Sequence, residues 1–237
     1  MFTITHYRNR PPQELIQQVL SLAAQNTPEM HTVQPEPSNP IYPLVELTMV
    51  MEIHVYMDLM GPSDVRNAGL ILATDKAAPG QVLGFLQYAS ATNMESACAI
   101  TYLAVDANHR KQGIARAMME ELMTRHPHAA LSCPVPTVPV YESLGFAVLC
   151  AKDTQVVMTS GGYRDQAACT LTDASQFLRH PSVLKLQDDL IKEHGENRLI
   201  EAEKQMTTRL LKLLAEAEKY AAARLAGATH NDAVAGA

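Results

Sequence analysis

The sequence lacks the cysteine patterns of a metal centre and of a disulfide scaffold. Its four cysteines, Cys98, Cys133, Cys150 and Cys169, lie far apart in a chain of 237 residues, without a close cysteine or histidine pairing. Disulfide scaffolds are typical of much shorter secreted chains. We therefore expect reduced, buried thiols and no metal site.

Clustered positive charge and long apolar runs are also scarce. The chain has 19 Lys and Arg against 25 Asp and Glu, a net charge of -6, and its one basic cluster surrounds Arg110. Nucleic-acid surfaces need many clustered cations, so we expect no nucleic-acid partner. No uncharged apolar run approaches a membrane span, and Met1 to His6 do not resemble a secretory signal. The sequence therefore predicts a cytoplasmic protein without a membrane partner.

A composition of 47% hydrophobic and 19% charged residues suits one mid-sized domain with an appendage. Residues 2–7 read as a strand, and a helix follows Pro11 and Pro12 until about Asn26. Five prolines between 27 and 43 indicate a surface connection.

From Val45 to Leu59 every odd position is apolar. A period of two is typical of a strand, so the pattern predicts a long strand with one polar face. Glu52, His54 and Tyr56 would share that face.

The remaining pattern predicts an α/β fold with a mixed, largely antiparallel sheet flanked by helices. The predicted strands cover 68–74, 82–89, 98–105, 129–133 and two in 146–159, and the predicted helices cover 113–125 and 138–144. Residues 1–162 would form this domain. Residues 163–237 would form a C-terminal helical extension with helices at 182–193 and 196–225 and a frayed tail from about 227.

The stretch 103–115 carries the strongest local signal, because an apolar strand passes through a basic turn into a helix opened by Gly113. The first N–H groups of a helix are unpaired, and its N-terminus stabilises an anion by about 0.3–2 kcal/mol. Arg110 and Lys111 would add charged donors. The junction therefore predicts a phosphate or diphosphate site.

A second segment makes this signal specific. Residues 110–115 read RKQGIA and residues 141–146 read YESLGF, and together they resemble the two signatures of the GNAT (Gcn5-related N-acetyltransferase) superfamily. The resemblance implies a GNAT-like fold in which the loop Arg110, Lys111, Gln112, Gly113, Ile114 and Ala115 holds the pyrophosphate of coenzyme A. It also implies that the backbone of Leu103 and Val105 pairs with the pantetheine arm and that Tyr141 lies beside the sulfur.

Tyr141 is also a candidate on chemical grounds, because a leaving thiolate needs a proton and a phenol of pKa about 10 can supply it. Its alternative is a packing role. The strand 98–102 lacks the carboxylate or imidazole that some family members use as a base. Glu52 or His54 could replace it if their strand face lines the cleft; otherwise that face meets solvent or a polar helix surface. Pro134 stands where many members have asparagine.

The sequence therefore favours an N-acetyltransferase that moves an acetyl group from acetyl-CoA to an amine acceptor, a small molecule or a protein, by direct attack. The alternative is a non-catalytic GNAT-like module that acts in assembly or partner binding. An apolar stripe in the last helix, from Leu199 to Tyr220, would pack either within the chain or, through residues 182–225, in a homo-oligomer or against a partner helix.

Overall fold

Within the described residues, seven strands form one mixed sheet. The computed structural model describes residues 1–61, 68–161, 163, 167–169, 171–172 and 174–235, with only the backbone for 174 and 227–235. The strands are β1 (Phe2–Tyr7), β2 (Ala68–Asp75), β3 (Val82–Ser90), β4 (Ala97–Val105), β5 (His128–Cys133), β6 (Phe146–Lys152) and β7 (Gln155–Ser160). Their order is β1-β2-β3-β4-β5-β7-β6, and only β4 and β5 pair in parallel. The predicted fold class is confirmed.

Helices cover both faces of the sheet. They are α1 (Gln13–Gln25), α2 (Thr27–Met30), α3 (Tyr42–Asp58), α4 (Ile114–Met123), α5 (Val138–Glu142), α6 (Pro181–His194) and α7 (Glu196–Ala235). One core layer joins α1 and α3 to Leu70, Leu72 and Phe85 of the sheet. The opposite layer joins α4 to Ile71 and Leu86. None of the helices in the described part of the chain is both long and apolar enough to cross a membrane.

The predicted strand at 45–59 is wrong, because these residues form helix α3. Its buried side chains, Met49, Ile53, Tyr56 and Met57, follow helical spacing. The helix has several neighbours: Ile53 enters the sheet core, the Tyr56 hydroxyl accepts a 2.9 Å hydrogen bond from the Thr172 N–H, and α3 also contacts α1 and α6. A helix that is apolar around much of its circumference has no clear 3.6-residue stripe, and here its apolar residues alternate by coincidence.

The C-terminal extension folds back onto the sheet. Helix α7 packs against β6, β7 and α6, burying Ala217 and Ala221, and Tyr220 contacts the core. Arg224 of α7 binds the Glu142 carboxylate at 2.8 Å, which ties α7 to α5. Part of the apolar stripe is thus covered within the chain. The predicted boundary at residue 162 and the side chains of the predicted tail from 227 lie outside the described residues.

Candidate active site

A cleft opens where the two parallel strands separate. β4 and β5 pair only from Ala97 and His128 to Ala99 and Ala130. Beyond this point the β4 segment 100–105 and the β5 segment 131–133 diverge and line a cavity of about 490 Å³. The unpaired edge of β4 is therefore free to hydrogen-bond an extended ligand.

An irregularity in β4 lies at the point of separation. Tyr88 of β3 pairs with Ile100, whereas the preceding Gln87 pairs with Tyr102, so Thr101 is an extra residue in β4. A β-bulge of this kind bends its strand and increases the local twist. The bulge lies directly beyond Ala99, the last residue of β4 that pairs with β5.

The predicted phosphate loop follows β4 directly. The Asp106 carboxylate lies 2.7 Å from the Nδ1 atom of His109 and accepts a hydrogen bond from the Asn108 N–H at 3.0 Å. The contact with His109, and secondarily the one with Asn108, lowers the pKa of the Asp106 carboxyl. Lys111 has φ of 60° and Gly113 has φ of 81° before α4 begins at Ile114. Within the described part of the chain, no hydrogen-bond acceptor meets the N–H groups of residues 111–116. These donors can hold an anion.

The Arg110 side chain lines the cleft and is held by partners within the protein. Its guanidinium donates to Asn26 Oδ1 at 2.6 Å, to Glu29 Oε1 at 2.9 Å and to the Val105 carbonyl at 3.3 Å. The side chain therefore links the loop to the end of α1 and to α2. The Gln112 side chain is exposed and does not line the cleft, so only its backbone N–H is available to a ligand there.

Tyr141 lies in the same cleft as Leu103, Val105, Lys111 and the Gly113–Ala115 segment. Its ring packs edge-on against Phe146 with centroids 6.2 Å apart. Burial, and secondarily Cys133, raises the pKa of the Tyr141 phenol. Its hydroxyl has no hydrogen-bond partner among the described residues. It therefore stays protonated at neutral pH and can donate to a ligand atom.

The structure separates the two predicted bases. Two positions along a helix differ by about 200°, so Glu52 and His54 lie on opposite sides of α3. His54 contacts Arg10 at 3.2 Å and Asp58 at 4.0 Å, away from the cleft residues. Glu52 accepts a 2.8 Å hydrogen bond from the hydroxyl of Tyr102, and Tyr102 lines the cleft. The polar strand face that would have joined them does not exist.

Sequence reasoning missed three contributors to this region: Tyr102, Asn26 and a contact between Thr154 and Thr32. Tyr102 stood inside a predicted strand with no acidic neighbour in sequence, and its partner is 50 residues away. The Thr154 hydroxyl donates to the Thr32 carbonyl at 2.7 Å, over 122 residues. Only Asn26, at a predicted helix end, had a local signal.

One protein-family model covers this part of the chain. The family model of the acetyltransferase (GNAT) domain matches residues 66–148, which include β4, the phosphate loop and Tyr141. No curated protein matches the sequence.

Solved structures with similar folds include several acyltransferases. An acyl-CoA N-acyltransferase from Pseudomonas aeruginosa is 16% identical, with a TM-score of 0.47, 68% of this chain covered and 99% of that chain. The PaiA N-acetyltransferase from Thermoplasma acidophilum, in complex with coenzyme A, is 12% identical, with a TM-score of 0.48 and coverage of 67% and 98%. The ribosomal-protein-S18-alanine N-acetyltransferase from Escherichia coli is 15% identical, with a TM-score of 0.45 and coverage of 68% and 93%.

The family match includes both signature segments, and the structure joins those segments in one cleft between separating strands. Residues 66–148 of the chain thus carry a GNAT acetyltransferase domain.

Proposed function

We propose that the protein is an acetyl-CoA-dependent N-acetyltransferase that acts by direct attack of an amine. One observation carries this proposal: the unpaired edge of β4, the free N–H groups of residues 111–116 and the Tyr141 hydroxyl border a single cleft. Binding an extended arm, binding a diphosphate and protonating a leaving sulfur are the three tasks that the reaction needs from the donor side.

The loop and β4 would place the donor. The N–H groups of residues 111–116 would hold the pyrophosphate, and the backbone between Leu103 and Val105 would hydrogen-bond the pantetheine arm. When bound, acetyl-CoA supplies a thioester whose carbonyl carbon forms a bond to the amine nitrogen while the carbon–sulfur bond breaks. Tyr141 would give its phenolic proton to the departing sulfur.

The acceptor must lose a proton before or during the attack. Glu52 remains our candidate base, acting through Tyr102: the phenol oxygen would accept the ammonium proton while its own proton passes to the carboxylate. This path uses a hydrogen bond that already exists and leaves one extra proton on Glu52. His54 faces Arg10 and Asp58 and has no part in the proposed path.

Replacing Tyr141 tests the proposal. Tyr141→Phe removes only the hydroxyl, so kcat for acetyl transfer should fall roughly 10²-fold or more, while the dissociation constant of acetyl-CoA should stay the same. Tyr7→Phe is the matched control, because Tyr7 lies on β1, outside the cleft. Unchanged turnover of Tyr141→Phe would remove Tyr141 from the reaction.

The alternative function gives a different result in the same assays. A non-catalytic module that uses the fold for assembly would bind acetyl-CoA, with a corresponding rise in melting temperature, but would acetylate no amine in a broad panel. If the protein does not bind acetyl-CoA even at a high concentration of the cofactor, both the enzyme and the non-catalytic module are contradicted.

A further inference from the structure

Gln155, the first residue of β7, lines the cleft with a polar side chain and is only 8% exposed. Among the residues that the structure describes, no hydrogen-bonding group meets its amide. In the same part of the chain, the unpartnered side-chain atom that is shut off from solvent is Nδ1 of His6, so the Gln155 amide is open to the cleft. Buried polar groups without a partner are unfavourable and rare, and one that borders a cleft is available to a ligand.

The register of the sheet places Gln155 across the cleft from the free edge of β4. Ala99 of β4 is level with Ala130 of β5, and Ala130 pairs with Thr159 of β7. Four residues further along, β4 reaches Leu103 and the antiparallel β7 reaches Gln155. The extra residue of the β4 bulge changes this level by only one position. Gln155 therefore lies opposite the backbone that we assign to the pantetheine arm.

The neighbouring wall of β5 offers no backbone group at this level. β5 ends at Cys133, whose partner on β7 is Val156, so the next residue, Pro134, comes beside Gln155. Proline has no N–H to donate. The Pro134 carbonyl already accepts hydrogen bonds from the N–H and the hydroxyl of Thr137, at 3.0 and 2.8 Å. A ligand between β4 and this wall therefore needs a side chain as its hydrogen-bond partner there.

Gln155 also lies in the uncharged part of the cleft. Val156 and Met158 enter the core layer on the α4 side. Because successive side chains alternate across a strand, Gln155 points to the α1 and α3 side, where Tyr102 packs. The ionisable acids and bases of the cleft lining belong to α2, the phosphate loop and the start of α4, and they are Glu29, His109, Arg110, Lys111 and Arg116. The surroundings of Gln155 thus suit a neutral polar group.

We propose that Gln155 is a further cofactor-binding residue, whose amide hydrogen-bonds an amide of the pantetheine arm on the side that faces away from β4. This inference rests on the proposed use of acetyl-CoA. The pantetheine arm is uncharged, and its amide groups each contain a donor and an acceptor. β4 pairs with one edge of an extended chain, so an amide on the other edge needs a partner within the cleft. The Gln155 amide both donates and accepts, and it can therefore bind either group.

Removal of the amide tests the proposal through the binding of coenzyme A. Gln155→Met keeps the length of the side chain but removes both hydrogen-bonding groups. We expect the dissociation constant of coenzyme A to rise about five- to tenfold, the effect of losing one hydrogen bond of average net strength. The dissociation constant of ADP, which has the pyrophosphate but no pantetheine arm, should not change. Gln17→Met, the same replacement at an exposed position of α1 outside the cleft, should leave both constants unchanged.

The stability of the ligand-free protein separates binding from a structural role. Because no described group bonds the amide, Gln155→Met should melt at the wild-type temperature or above it. A lower melting temperature, or an equal loss of affinity for ADP and coenzyme A, would mean that Gln155 supports the fold or the loop and would overturn the inference.

Two further results would also decide against Gln155 as a cofactor-binding residue. An unchanged dissociation constant of coenzyme A in Gln155→Met would overturn the inference alone, and a higher acceptor KM in that variant would then assign the amide to the acceptor. If the wild-type protein binds no coenzyme A, the proposed function fails together with this inference.

Discussion

The Tyr102 hydroxyl donates a 2.8 Å hydrogen bond to Oε2 of Glu52, which joins the cleft strand β4 to helix α3. Burial, and secondarily Glu52, raises the pKa of Tyr102, so this phenol stays protonated and keeps its donor role. The pair connects the Glu52 carboxylate to the cleft through one side chain, that of Tyr102.

Replacing Glu52 tests the proposed proton path. Glu52→Gln keeps an acceptor for Tyr102 but removes the negative charge, so kcat should fall roughly 10²-fold at neutral pH. The deficit should narrow as pH rises towards the amine pKa of about 10, because the acceptor then arrives without its extra proton. A pH profile of kcat measures both effects. His54→Gln, two positions away on the opposite side of α3, should match the wild type; a larger loss in His54→Gln than in Glu52→Gln would reverse the assignment.

Gly113 tests the phosphate loop. Its φ of 81° belongs to the left-handed region, and an added Cβ would meet nothing within 4 Å, so Gly113→Ala costs backbone strain alone. We expect a loss of about 1–2 kcal/mol in the free energy of unfolding together with weaker coenzyme A binding, measured by denaturant titration and calorimetry.

Gly80→Ala is the control for that change, because Gly80 has φ of 95° and equally open surroundings outside the cleft. It should lose similar stability without any change in coenzyme A affinity. Equal affinity in both variants would show that the loop does not hold the cofactor.

Arg110 and Lys111 should have different roles despite their adjacency. Arg110→Met leaves Asn26 Oδ1, on a buried residue, without its 2.6 Å donor, so we expect stability to fall by about 1 kcal/mol. Lys111→Met changes an exposed side chain at the cleft and should weaken coenzyme A binding while leaving stability unchanged. Thermal unfolding without ligand measures the stability of each variant, and titration of coenzyme A measures its affinity for the cofactor. The opposite pattern would mean that Arg110 contacts phosphate rather than supports the loop.

The buried His31 should make the free energy of unfolding depend on pH. Burial lowers the pKa of His31 to about 4, whereas an unfolded histidine has a pKa of about 6.5. Between these values the unfolded chain binds a proton that the folded chain does not, so stability should fall as pH decreases from about 6.5 to about 4.

The comparison with His31→Gln isolates this contribution, because burial also lowers the pKa of His6 and of His126 and both remain in the variant. The free energy of unfolding should decline less steeply with acid in His31→Gln than in the wild type. Parallel slopes would show that His31 is not held neutral by the fold.

The grouping of the phosphate loop and Tyr141 in one cleft could be predicted from sequence because its determinants are local. The run from Leu103 to Ala115 contains the strand end, the turn and the helix start together, and Tyr141 follows in a second short signature. The contact between Glu52 and Tyr102 could not be predicted, because sequence spacing does not encode it. Glu52 reaches Tyr102 only because α3 is a helix that packs on the sheet, and its apolar alternation concealed that helix.

The course of residues 31–36 could not be predicted for a related reason. Prolines between 27 and 43 correctly indicated a connection, although Thr27–Met30 forms the short helix α2 within it. The partners that fix its course, Thr154 and Arg209, lie 122 and 176 residues away. The sequence of a proline-rich loop has no pattern from which such distant hydrogen-bond donors could be predicted.

A crystal structure of the complex with coenzyme A tests the proposed binding mode. The pyrophosphate should lie against the N–H groups of residues 111–116, the pantetheine arm along the unpaired edge of β4, and the sulfur within hydrogen-bonding reach of the Tyr141 hydroxyl. Coenzyme A bound elsewhere, or bound in the cleft with its sulfur remote from Tyr141, would contradict it.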